Sequence, residues 1–218
     1  MTRWRRRRSQ RGQSMVEFAL VLPVIMVLML GMIEMGFAIN HNTSMVTATR
    51  EGARVGAALR NGHPKCGLPD DALSQAVDPQ IIAALEGILV SPGSPVNVRQ
   101  VSTVELIELD ENGATTGNKN TWASSVDASG NPTGTLLPGS ATQHLYFAPQ
   151  GGGFGGNWAA YTRCGSAPAH SIRVKITYTY KFVTPLGSVI SAVGGNLFGS
   201  GQITMTDQTT MALEPPTP

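Results

Sequence analysis

Arg11-Gly12-Gln13-Ser14-Met15-Val16-Glu17-Phe18-Ala19-Leu20-Val21-Leu22-Pro23 opens an apolar run that continues to Ile39, interrupted only by Glu34 and a few small residues. Upstream lies Arg3-Trp4-Arg5-Arg6-Arg7-Arg8, so six arginines precede Gly12. Roughly 20 apolar residues suffice to cross the hydrocarbon of a bilayer, and cationic flanks stay on the cytoplasmic side. The chain beyond residue 40 is therefore expected outside the cytoplasm. Glu17 is the anomaly. A carboxylate inside a membrane span is costly and marks a functional position by default.

Composition divides the chain in the same place. The net charge is +2, yet residues 1–12 hold six arginines and no acid. The remaining 206 residues carry ten basic and 14 acidic groups, a net of −4. Topology explains the basic patch, so nucleic acid is not expected as a partner. Charged residues make up only 14% and glycines number 25. That balance suits an exported, Thr/Ser/Gly-rich β domain better than a cytosolic enzyme.

Spacing around Gly12 carries the resemblance. Glu17 is the fifth residue after Gly12 and is followed by Phe18. This resembles a type IV prepilin signal, cut after the glycine so that Gln13 becomes the new N-terminus. The wider stretch resembles the start of the TadE-like pseudopilins, minor pilins of tight-adherence (Tad) pilus systems. Ala48-Thr49-Arg50-Glu51-Gly52-Ala53-Arg54-Val55-Gly56-Ala57 resembles a second family segment, and the ending Met211-Ala212-Leu213-Glu214 resembles the family's usual close. The likeness spans about 11–60 well and 170–214 loosely.

From this resemblance follow a prepilin peptidase, other pilins and pseudopilins, and the Tad inner-membrane platform as partners, besides the lipid bilayer. Gly12 and Gln13 take the processing role, and Glu17 with Phe18 the assembly role. In type IV pilins the corresponding glutamate is thought to pair with a neighbour's α-amine. Gly52-Ala53 are implied in close helix packing. The chain is expected in the cytoplasmic membrane as a single-pass protein with its N-terminus in the cytoplasm. The competing reading is a signal-anchored extracytoplasmic binding domain that never polymerises.

The fold expected is α+β: a long N-terminal transmembrane helix continuing into an extracytoplasmic antiparallel β domain of pilin-like layout. Its parts are a cationic leader over 1–12, a helix over 13–60 that is transmembrane to about 39, a domain over 61–214 and a tail over 215–218. At 1.5 Å per residue the helix reaches roughly 70 Å, with Ile39, Val46, Ala53 and Ala57 as an apolar stripe on its outer half. Asp78-Pro79 reads as an N-cap followed by proline at the first helical position. Ile81, Ile82, Leu85, Ile88 and Leu89 then follow at helical spacing. Val96 to Leu109 is β-rich, and Asp110-Glu111-Asn112-Gly113 is a hairpin turn. Residues 114–170 read as long loops with short strands. Ile172 to Phe182 alternates apolar and polar residues over eleven positions, a strong half-buried strand signal. Gln202 to Leu213 repeats it more weakly.

Other features are weighed by their surroundings. Cys66 and Cys164 are the two cysteines; an oxidising compartment favours one disulfide between them over two free buried thiols. Glu34 lies 17 residues past Glu17, near the outer interface, where it is expected to meet water. Asn42-Thr43-Ser44 fits a glycosylation pattern but sits close to the membrane. Arg50, Glu51 and Arg54 are placed for helix-face ion pairs. His41, His63, His144 and His170 are scattered without metal-ligand spacing, and Gly151 to Gly156 lacks the Lys-Ser/Thr of a phosphate loop. Neither a catalytic centre nor a cofactor or metal site is expected.

Overall fold

The computed structural model describes residues 11–63, 71–151, 156–163, 170–185, 187–188 and 201–213. Most of the leader, Cys66, Cys164, the centre of the glycine run and the tail lie outside these residues, and so does the expected disulfide. Two compact units divide the chain. One comprises Met1–Ala38 with Lys181–Gln202, the other Ile39–Tyr180 with Ile203–Pro218.

Helix α1 runs Arg11–Leu59 as one 49-residue element with Pro23 inside it. In the first unit its apolar side chains, among them Met15, Phe18, Leu20, Val24 and Met32, stand exposed. Such an all-round apolar surface is what lipid solvates and water does not. By length and composition α1 is the one described helix able to cross a membrane. Its C-terminal end is a left-handed stop: Arg60 has φ +52° and Gly62 φ +81°, and Gly62 N–H returns to Leu59 O at 2.8 Å. Gly62 also tolerates no side chain, since a Cβ there would lie 2.7 Å from Leu73 O.

In the second unit the outer part of α1 and helix α3 (Val77–Leu89) cover one face of a five-stranded sheet. The strands are β1 Val101–Leu109, β2 Thr115–Ser124, β3 Phe147–Pro149, β4 Ser171–Lys181 and β5 Gln202–Ala212. Their order is β3-β2-β1-β4-β5 and the sheet is antiparallel, with β1 and β2 joined through the Asp110–Gly113 turn. In β4 Ile172, Val174, Ile176, Tyr178 and Tyr180 are buried and the intervening residues are half-buried, as alternation predicts for a sheet covered on one side. A four-residue helix, α2 (Ala72–Gln75), precedes α3 and is capped by Asp71.

Several expectations are corrected. Of the expected stripe Ala53 and Ala57 are buried, but Val46 is half-buried and Ile39 is 54% exposed; the stripe α1 buries in this unit is His41, Met45, Ala48, Thr49, Gly52, Ala53, Gly56 and Ala57. This stripe is built of small residues because α1 lies close against its neighbours. A Cβ on Gly52 would sit 3.5 Å from both Leu85 Cδ1 and Val174 Cγ1, and one on Gly56 only 2.7 Å from Ile172 Cδ1. Gly52-Ala53 thus occupy the packing position the resemblance implied. Asp78 is not a cap: it lies inside the first turn of α3, buried, because a distant arginine claims its carboxylate. Residues 114–170 include a ten-residue strand, β2, that polar composition concealed. It forms because Trp122 opposes Val104 in the core while its remaining residues need only the β1 ladder.

Candidate functional site

The membrane-proximal start of α1 presents the candidate assembly site. Gly12 lies in the first turn of α1, and beyond that helix's own backbone nothing lies within 4 Å of where a Cβ would stand. One turn on, Gln13 Nε2 donates to Glu17 Oε1 at 3.0 Å. Met15, Val16 and Phe18 are exposed beside it. Between Glu17 and Arg50 the chain has no lysine or arginine. Among the described residues the side-chain partner of Glu17 is a neutral amide, and the carboxylate stands on an apolar surface. A cation brought to that point would be favoured.

Glu34 behaves differently, and the expectation that it meets water is overturned. It is 4% exposed. Its Oε1 accepts from Val183 N–H at 3.0 Å, and Oε2 accepts from Thr184 N–H at 2.9 Å and Thr184 Oγ1 at 2.6 Å. Three donors suffice to hold a carboxylate without water. Sequence reasoning missed this because the partners lie some 150 residues downstream. A usable signal existed: Phe182 to Thr206 contains no charged residue, an unusual stretch beside a span that carries an acid.

Elsewhere the polar groups that the sequence scattered find structural roles. Arg163 forms a buried bidentate pair with Asp78 and stacks over the Trp158 ring, 4.1 Å from its centroid. Asn120 Nδ2 donates to Asp78 Oδ2 at 2.6 Å and to Trp158 O at 2.7 Å, while Asn120 Oδ1 accepts from Trp158 N–H at 3.0 Å. This cluster ties α3, β2 and the 156–163 segment together. Thr49, in the α1 segment that carries the family likeness, donates to Asp207 Oδ2 of β5 at 2.5 Å. Glu51 pairs with Arg54 on the exposed face of α1, which lowers the Glu51 pKa. The histidines stay apart. His41 packs between Tyr178 and Tyr180, His63 contacts Asp71, His144 contacts Gly134 O and His170 contacts Glu108.

These features define a class: an apolar helix able to anchor the chain once in a membrane, leading into an α+β domain with a one-sided antiparallel sheet. Residues 12–54 match the family model described as TadE-like protein, as Gly12, Glu17 and Gly52-Ala53 led us to expect. The matched segment lies wholly within α1 and does not reach 170–214. No curated protein and no solved structure gives a significant match to the chain.

Proposed function

We propose that this chain is a minor pilin or pseudopilin that takes part in assembling a Tad-type, type IV-like pilus or secretion apparatus. The arginine leader stays in the cytoplasm, a prepilin peptidase cleaves between Gly12 and Gln13, and the domain built on the sheet lies outside the cytoplasmic membrane. The protein works by assembly rather than catalysis. Its partners are other pilins and pseudopilins, the inner-membrane platform and the bilayer.

One observation carries the reading: Glu17 stands exposed on an apolar helix, one turn from Gln13 and five residues from Gly12. Cleavage would remove six arginines, and with them the electrostatic hold of the cytoplasmic face. It would also create an α-amine at Gln13, a cation of the kind Glu17 lacks. The family match over 12–54 supports the same assignment. Mass analysis of the mature N-terminus in cells that hold the peptidase tests it, with Gln13 expected as the first residue. Retention of residues 1–12 would overturn the processing step and favour an anchored domain that never polymerises.

A further inference from the structure

A carboxylate with three donors in place is a finished interaction, so Glu34 offers no free charge for a neighbouring subunit. What it does instead follows from where its donors come from. Val183 and Thr184 immediately follow β4, and their N–H groups are turned onto Glu34. Phe182 N–H is bonded to Gly201 O at 3.0 Å, which brings the two ends of the intervening segment together at its base. No charged residue occurs from Phe182 through Thr206. Val183 is 66% exposed, as are most apolar residues on the same unit's stretch of α1, including Met32, Ile33, Met35 and Phe37.

Irregular backbone is tolerated at membrane depth only where its polar groups are satisfied by protein. A carboxylate is tolerated there only when paired or hydrogen-bonded. The Glu34 clasp meets both conditions at once: the carboxylate satisfies two backbone N–H groups and a hydroxyl, and those donors satisfy the carboxylate. We infer that Val183 and Thr184, just beyond β4, form a second membrane-contacting element. Clasped by Glu34, it rests Val183 against the acyl chains of the outer leaflet beside α1. The occupant of this surface is lipid, because Val183 and the exposed residues on the same unit's stretch of α1, Met32, Ile33, Met35 and Phe37, are apolar and uncharged. This rests on the reading that α1 spans a membrane, and the test separates the two.

Full-length protein carrying a diazirine amino acid at Val183, Val24 or Asn112 is reconstituted into phosphatidylethanolamine/phosphatidylglycerol vesicles and irradiated. Lipid adducts are then measured by mass spectrometry. Val24 reports the span and Asn112, at the exposed hairpin turn, reports the water-facing domain. Adducts at Val24 and Val183 but not at Asn112 support the inference. Adducts at Val24 alone overturn it and leave the anchor intact; absence at Val24 overturns both. Glu34→Ala is expected to reduce the Val183 adducts to the Asn112 background while leaving those at Val24. Unchanged Val183 adducts in that variant would show that Glu34 does not hold the segment.

Discussion

Gln13 and Glu17 face each other across one turn of α1, with the Gln13 amide donating to the Glu17 carboxylate at 3.0 Å. An amide relieves part of the cost of that carboxylate but none of its charge. Glu34, by contrast, spends both its oxygens on Val183 and Thr184 of its own unit. The two acids in the apolar part of α1 thus differ: Glu17 is met by a neighbouring amide on the helix, while Glu34 is used within its unit.

Glu17→Gln keeps the shape and removes the charge. Expression, membrane insertion and cleavage after Gly12 are expected to persist, while co-assembly with other pilins falls sharply. Recovery of the variant with sheared pili at the wild-type level would refute charge pairing and leave Glu17 as a recognition mark for the peptidase.

Asp78 and Arg163 are both buried, and each is the other's charged partner. Removing one half strands the other, which typically costs about 3–5 kcal/mol. Asp78→Ala or Arg163→Met is therefore expected to lower the denaturant midpoint strongly, and the double change Asp78→Leu/Arg163→Met to restore part of the loss. A single variant with an unchanged midpoint would contradict the burial of this pair.

What was legible in the sequence followed from local pattern. The alternation from Ile172 to Phe182 wrote a one-sided strand, and the apolar run after Gly12 wrote the helix. The unread parts depended on partners far along the chain. Asp78 before a proline is the local signature of a cap, and only Arg163, 85 residues on, draws it into the core. Glu34 needed Thr184, and β2 needed the β1 ladder beside it. The expected α1 stripe was right at Ala53 and Ala57 and wrong at Ile39, because close packing selected Ala48, Gly52 and Gly56, residues that hydropathy reads weakly.

Gly52 and Gly56 allow a paired test of that packing. A Cβ at Gly52 meets Leu85 and Val174 at ordinary contact distance, and alanine is favoured over glycine in a helix by about 1 kcal/mol. Gly52→Ala is expected to be neutral or stabilising. At Gly56 the added atoms overlap Ile172 and Ile81, so Gly56→Val is expected to destabilise by about 1–3 kcal/mol. Thermal unfolding of both variants measures this, and equal effects would argue against the close approach.

Burial raises the Glu86 pKa from 4.5 to about 8, against the pull of hydrogen bonds from the Tyr146 and Phe147 N–H groups. The folded protein then keeps a proton that the unfolded chain loses above pH 4.5. Stability from this group is complete below that pH, declines as pH rises and is gone above about 8, an effect on the order of a few kcal/mol. Glu86→Gln, which stays neutral, is expected to flatten the profile between pH 5 and 8. An unchanged slope would show that Glu86 ionises freely in the folded state.

Cys66 and Cys164 lie outside the described residues, and the compartment argument alone leads to the expectation that they are joined. His63 is held by Asp71 and Arg163 by Asp78, so the chain nearest each cysteine is tied to positions seven residues apart on either side of α2. The 3-10 turn at Ala160–Thr162 also packs against α2. A bridge would close about 98 residues and contribute roughly 4 kcal/mol by restricting the unfolded chain. It would secure the end of α1 to the sheet domain outside the membrane, where oxidation is favoured. Alkylation before reduction should label neither cysteine, alkylation after reduction should label both, and reduction should lower the unfolding midpoint. Full labelling of both thiols in the unreduced, oxidatively exported protein would exclude the bridge.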